Sequence, residues 1–261
     1  MVGTGTAATL AGWYVISLRP SGTHAPLRRA AATRGARLLP LSTLRLRPLP
    51  AGVALAAALA CRQVVFTSPA AVRFARSLLP LQVRPGQQWF AVGGGTAAAL
   101  RRAGIAEVRI PDDRADSEGL LALPELAAPA AVGLVTAPGG RGLIGETLAR
   151  RGGEIHRAEV YRRETVRPRA DRLEALATLP AHSALLVSSG EAFAALWEAL
   201  STAGRHLLAG RPAIASSPRL AAMLAEAGFT AIVPAPGPSP RQLLGALEDA
   251  VAAGRFAIPV R

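Results

Sequence analysis

Short runs of β-branched and aliphatic residues alternate along the chain with longer stretches in which apolar positions recur at helical spacing. The runs at 13–18, 63–67, 89–92, 107–110, 132–136, 184–188, 213–215 and 231–233 read as strands, each flanked by Gly, Pro or Ser. Between them, 70–79, 96–103, 117–126, 142–151, 191–200, 218–227 and 240–252 read as helices. Strands that are apolar on both faces and separated by helices predict parallel sheets covered on both sides, an α/β fold.

The alternation also repeats on itself. VVFTSPAAVRFARSLL from Val64 matches ALLVSSGEAFAALWEAL from Ala184, FAVGGGTAAALRRAGI matches AIASSPRLAAMLAEAGF, and VRIPDDRADSEGLL matches AIVPAPGPSPRQLL. These pairs lie about 120 residues apart, and an earlier unit carrying Pro20, Gly22 and Gly35 matches Pro138, Gly140 and Gly153 at nearly the same offset. The chain therefore runs through the first unit of one copy, three units of the other, that other copy's first-type unit, and then the three remaining units. ARLLPLSTLRLRP and GEIHRAEVYRRETVRP follow the two first-type units, and both alternate apolar with polar residues as extended linkers do. If both link, the domains are 1–44 with 167–261, and 45–166, with linker strands near 41–48 and 159–167.

Charge changes this picture. The 30 basic residues outnumber 17 acidic ones, for a formal net charge of +13, and every basic residue is arginine. Without lysine there is no Walker-type phosphate loop, no Schiff base and no Ser/Lys dyad. Residues 1–106 hold 13 arginines and no acid, whereas 107–261 hold 17 of each. Arginine's planar fork pairs with carboxylate or phosphate, so such a region attracts polyanions. A GC-rich genome would replace lysine by arginine without functional meaning, but it would leave the acid-free stretch unexplained.

Other chemistry is sparse. A single cysteine, Cys61, excludes internal disulfides, iron-sulfur clusters and cysteine-rich zinc sites. His24, His156, His182 and His206 lie in four separate segments without metal-ligand spacing, and surface or loop positions are expected for them. Neither a metal nor a cofactor is expected. The most apolar stretch, 51–61, falls well short of the about 20 residues a membrane span needs and reads as an alanine-rich helix. The first residues show no secretory pattern, so a cytoplasmic location without membrane attachment is expected.

LRP at 18–20, VFTSPAAV at 65–72, VGGGTAAAL at 92–100, SEGLL at 117–121, GGRGLIGETLARRG with VYRRE at 160–164, VSSGEA at 187–192 and PSPRQLL at 238–244 stand in an order and spacing that resemble the uroporphyrinogen-III synthase family. The resemblance covers nearly the whole chain. It implies two flavodoxin-like α/β domains, interleaved in sequence, joined by two linker strands and enclosing an active cleft. It implies a cyclising hydro-lyase that closes hydroxymethylbilane to uroporphyrinogen III, inverting the last pyrrole and losing water, with no cofactor. A linear tetrapyrrole polycarboxylate is the implied substrate, handed over by hydroxymethylbilane synthase to a monomer, and it would give the arginine-rich first part a purpose.

In such a fold the strand ends bring loop NH groups, hydroxyls and helix N-termini to the cleft, where carboxylates are favoured. The expected substrate-binding groups are Thr67, Ser68, Gly93, Thr96, Ser117, Arg141, Ser188, Ser189 and Ser217. Each hydroxyl among them is also an ordinary helix cap. Ser217 stands where a Gly-Pro-Thr type turn is expected from the family. Tyr161 matches the tyrosine of the family's VY motif, which implies a general acid for the departing hydroxyl; a linker-strand tyrosine packed on a wall is the plain alternative. Arg19 matches the family's N-terminal arginine, either a carboxylate ligand or half of an interdomain ion pair. Two rivals remain. VGGGTAAAL, with Asp112 and Asp113 roughly 20 residues on, partly fits a nucleotide-binding turn, although Ala98 replaces its third glycine. The charge alone suggests nucleic acid, but no stacking aromatics or known motif accompany it, and no nucleic-acid partner is expected.

Overall fold

The apolar runs become the strands of two parallel sheets. The structure is a computed structural model, and it describes residues 9–112, 116–139 and 142–256. In chain order come β1 (Tyr14–Ser17), α1 (Ala25–Ala32), β2 (Arg37–Pro40), β3 (Leu44–Pro48), α2 (Gly52–Ala60), β4 (Gln63–Phe66), α3 (Pro69–Leu78), β5 (Gln88–Ala91) and α4 (Gly94–Arg102). Next are α5 (Ser117–Leu121), a 3-10 turn (Pro124–Leu126), β6 (Ala131–Thr136), α6 (Leu143–Arg150), β7 (Glu154–Glu159) and β8 (Tyr161–Thr165). The last part holds α7 (Ala170–Ala177), β9 (Ser183–Val187), α8 (Gly190–Ala199), α9 (Thr202–Ala209), β10 (Ala213–Ala215), α10 (Pro218–Glu226), β11 (Ile232–Pro234) and α11 (Pro240–Ala252).

The chain divides into two units, 1–45 with 164–261, and 46–163. The first contains a sheet in the order β11-β10-β9-β1-β2, every neighbouring pair parallel. The second contains β5-β4-β6-β7, also parallel throughout. Arg109 adds a fifth position beside β5 through one bridge to Phe90. Spatially the two sheets have the same order, the doubly wound arrangement in which winding reverses between two central strands. That reversal falls between β1 and β9 in one sheet and between β6 and β4 in the other. β4 and β9 are buried at every position, as helices on both faces require. Successive residues point to opposite cores: Ile16 packs with Leu185 and Phe193, whereas Val15 packs with Leu244 and Leu247. In the other unit Phe66 stacks on Trp89 at 5.6 Å, while Val65 joins Phe90 and Leu134 on the opposite face.

Four segments differ from their sequence pattern. The run at 107–110 makes a single bridge instead of a strand: Arg109 N donates to Trp89 O at 2.8 Å and Ala91 N to Arg109 O at 2.9 Å, and Pro111 then has no N–H with which to continue the ladder. Each expected linker is two strands, an edge strand of a parallel sheet (β2 or β7) followed by a second strand (β3 or β8). β3 and β8 pair with each other, antiparallel by the flanking bonds Val166 N to Thr43 O and Leu49 N to Val160 O. The helix expected over 117–126 is interrupted at Pro124, which opens the 3-10 turn.

One close approach shapes the 46–163 unit. Helix α2 lies so tightly across β6 that a Cβ added at Gly133 would stand 1.9 Å from the carbonyl oxygen of Ala58. Gly133→Ala is therefore expected to destabilise the protein by at least about 2 kcal/mol in denaturant unfolding, since backbone must move. Gly245→Ala, on open α11 with no atom within 4 Å of its added Cβ, serves as the contrast and should stabilise by up to about 1 kcal/mol. Equal effects at the two positions would contradict the packing.

Candidate active site

Parallel strands send their C-terminal ends, and the N-termini of the helices that follow, to one edge of each sheet. In the 46–163 unit, the reversal point carries hydroxyls from both central strands. Thr67, directly after β4, places its Oγ1 2.9 Å from Thr136 Oγ1 at the end of β6. The next residue, Ser68, is the N-cap of α3, its Oγ accepting from Ala71 N at 3.0 Å. Tyr161 reaches the same oxygen, with its OH 3.0 Å from Ser68 Oγ. Its ring is buried and stacked on Phe74 at 5.2 Å, so the hydroxyl is the one polar atom it can offer. One strand further out, Gly93 is the N-cap of α4, and Thr96 is buried in that helix's first turn. Ser117 is the first residue of the five-residue α5 and not its cap. Asp116 takes that role, accepting from Gly119 N at 2.8 Å, and its negative charge already occupies the helix end. Arg141 lies outside the described residues, as does Asp113.

The other unit repeats the pattern. Ser189 caps α8 by accepting from Ala192 N at 3.2 Å, with half-buried Ser188 just before it. Ser217 caps α10, accepting from Leu220 N at 3.4 Å. Ser239 caps α11 in a reciprocal box with Gln242. Arg19 follows β1 at the reversal point. Its Nη2 donates to Pro238 O at 2.9 Å, whereas its buried Nε has no partner. Burial lowers its pKa from the usual guanidinium value.

Around Arg19 the structure brings together side chains that the sequence pattern does not reveal. His24, expected at a surface or loop, is 7% exposed, with Nδ1 3.0 Å from Ser17 Oγ and Nε2 2.7 Å from Ser42 Oγ. Burial first, then the charges of Arg28, Arg19 and Arg172, hold its pKa down to about 4. Thr136 was within reach of the strand-end rule that selects Thr67, since 132–136 reads as a strand. His24 and Ser42 carry no comparable signal, being joined only by the return of β2 beside β1.

Charge is shared between the units. The 1–45 and 164–261 unit holds 15 arginines against 8 acidic residues, and the 46–163 unit 15 against 9. The acid-free stretch is thus split across both units. The glycine turn at 93–95 follows β5, not one of the central strands where winding reverses, which weakens the nucleotide reading. Among the described residues no cluster of side chains could hold a metal, and no helix is long and apolar enough to cross a membrane.

Two doubly wound sheets, with capped helix ends and hydroxyls at their reversal points, define a two-unit α/β protein. The sequence matches the family model described as Uroporphyrinogen-III synthase HemD over residues 25–245. It is 35% identical to the uroporphyrinogen-III synthase of Escherichia coli over 187 residues, 68% of this chain and 75% of that one. With the Salmonella typhimurium enzyme of the same name it shares 35% over 215 residues, 77% of this chain and 85% of that one. The chain belongs to the uroporphyrinogen-III synthase family. Solved structures of a uroporphyrinogen-III synthetase from Helicobacter pylori and a mutant uroporphyrinogen III synthase from Thermus thermophilus share the fold. Their TM-scores are 0.58 and 0.56, at 17% and 21% identity, with 92% and 91% of this chain and 99% of each of theirs covered.

The His24 environment has a measurable consequence. Because its folded pKa is depressed from 6.5 to about 4, the unfolded chain binds the proton more readily, and the stabilisation present above pH 6.5 is lost as pH falls toward 4. Between pH 7 and pH 4.5 the wild type should lose about 2 kcal/mol more unfolding free energy than His24→Gln, which cannot titrate. Identical losses would contradict a buried neutral imidazole.

Proposed function

We propose that polar groups at the sheet edges bind carboxylates of hydroxymethylbilane and that Tyr161 passes a proton to its departing hydroxyl. The activity that goes with the family is cyclisation of this linear tetrapyrrole to uroporphyrinogen III, with inversion of ring D and loss of water, in heme biosynthesis. Departure of the hydroxyl leaves an azafulvene. The substituted carbon of ring D attacks it, and the resulting spiro intermediate breaks and recloses the other way round. The pyrrole nitrogens supply the electron push, so the protein's tasks are positioning and acid assistance.

The observation that carries the proton-transfer assignment is the contact between Tyr161 and Ser68. Ser68 Oγ accepts from Ala71 N–H, which leaves its own O–H to donate to the phenol oxygen. Tyr161 can then give its proton outward, and the phenolate left behind faces a hydroxyl donor at the N-terminus of a ten-residue helix. A phenol is a weak acid, ordinarily with a pKa of about 10, so its contribution is a rate factor and not an absolute requirement. Arg19, with no carboxylate at ion-pair distance among the described residues, supplies charge for a substrate carboxylate. The caps Ser68, Ser189 and Ser217, the hydroxyls of Thr67 and Ser188, and the amides behind Gly93 supply neutral donors, with Thr96, Ser117 and Arg141 as flanking candidates. The same reading has one copy of the chain acting in the cytoplasm on substrate passed from hydroxymethylbilane synthase, because a reactive bilane closes unaided if released for long.

Steady-state kinetics separate these roles. Tyr161→Phe should lower kcat by about 10- to 100-fold with KM nearly unchanged, and Arg19→Ala should raise KM by about tenfold with a smaller change in kcat. Turnover unaffected by Tyr161→Phe would remove that residue from the mechanism.

A further inference from the structure

Four groups around the loop after β1 close a ring of hydrogen bonds that begins and ends on one residue. Arg19 N donates to Ser17 Oγ at 3.5 Å, Ser17 Oγ lies 3.0 Å from His24 Nδ1, His24 Nε2 lies 2.7 Å from Ser42 Oγ, and Ser42 Oγ donates to Arg19 O at 2.9 Å. Only one assignment of protons satisfies every atom. Ser42 spends its single proton on the Arg19 carbonyl, so it must accept from His24 Nε2–H; the neutral imidazole then accepts at Nδ1 from Ser17 O–H, whose oxygen accepts the Arg19 amide. Both backbone groups of Arg19 are therefore held by serines, Ser17 of β1 and Ser42 just after β2, and His24 at the N-cap of α1 links the two.

This arrangement is not explained by helix formation. His24 occupies the N-cap of α1 but makes no side-chain cap bond, its ring being turned away from the helix amides and into the ring with the two serines. An imidazole withheld from capping, buried among Arg19, Arg28 and Arg172, is an expensive choice unless the loop geometry it enforces matters. At the far end of the same residue, the guanidinium makes a single contact to Pro238 O and keeps Nε buried and unpartnered. The backbone of Arg19 is fixed on both sides while its side chain retains donors that no described residue consumes.

We propose that His24, acting with Ser17 and Ser42, is a positioning residue that fixes Arg19 in the orientation in which its guanidinium grips a substrate carboxylate. The proposal rests on the reading of Arg19 as a substrate ligand. His24 touches no reacting atom and contributes through substrate affinity, because a pre-fixed arginine does not have to be ordered when the bilane arrives.

The test is a kinetic cycle on the full chain with hydroxymethylbilane as substrate. His24→Ala and Ser42→Ala should each raise KM by about five- to tenfold with kcat within about twofold. His24→Gln, whose amide can still donate to Ser42, should recover most of the loss. In an Arg19→Ala background, adding His24→Ala should change KM no further, since there is nothing left to position. A melting temperature for each variant confirms folding, and Ser42→Ala, which removes only one half-buried hydroxyl, stands in if His24→Ala does not fold. Wild-type KM in Ser42→Ala, and in His24→Ala where it folds, with a raised KM in Arg19→Ala, overturns the positioning role and leaves the arginine reading intact. Equal, additive losses with and without Arg19 also overturn it. Wild-type KM in Arg19→Ala itself overturns the underlying reading, and the positioning role with it.

Discussion

Every polar group assigned a role here is placed by one constraint, the parallel pairing of strands. Parallel neighbours need crossover helices, and crossovers of one hand deliver all strand C-termini and all following helix N-termini to the same edge. Ser68 and Ser189 thus reach equivalent places in two different sheets although they lie far apart in the chain, and Tyr161 and Arg19 join them from strands that lead out of, or end at, the same edges. The cost is paid in burial. β4 and β9 must be buried on both faces, α2 must meet β6 at a bare glycine, and few polar side chains are buried among the described residues.

The permuted order of the second sheet explains how one chain makes two such edges. The chain enters the 1–45 and 164–261 unit, leaves after its second strand, completes the other sheet, and returns. Both units inherit the same spatial order, and both carry an excess of arginine. Each unit thus combines an excess of positive charge with capped helix ends. The Arg19 loop is tied down by the side chains of Ser17, His24 and Ser42.

Much of this is legible in the sequence because it is local. A serine before an alanine-rich run is a cap wherever the run is a helix, and Ser68, Ser189 and Ser217 behave so. The α/β class follows from period and run length alone. What is not legible depends on pairing between distant segments. The run at 107–110 has strand composition, yet it sits at a sheet edge where Pro111 cuts its ladder short. Arg37–Pro40 and Leu44–Pro48 read as one extended segment, but the first pairs with β1 and the second with β8. Ser117 resembles a cap by composition, and Asp116 outcompetes it because a carboxylate is the stronger acceptor at a helix N-terminus. His24 reads as a loop residue because its partners, Ser17 and Ser42, come from either side of a crossover.

The activity that goes with this family is ring inversion during closure of a linear tetrapyrrole. The most direct measurement is to incubate the purified protein with hydroxymethylbilane, oxidise the products and separate the uroporphyrin isomers by chromatography. Unassisted closure gives the symmetric isomer I, so the account predicts isomer III as the dominant product, formed faster than the uncatalysed background. Isomer I alone, at the rate seen without protein, would contradict it.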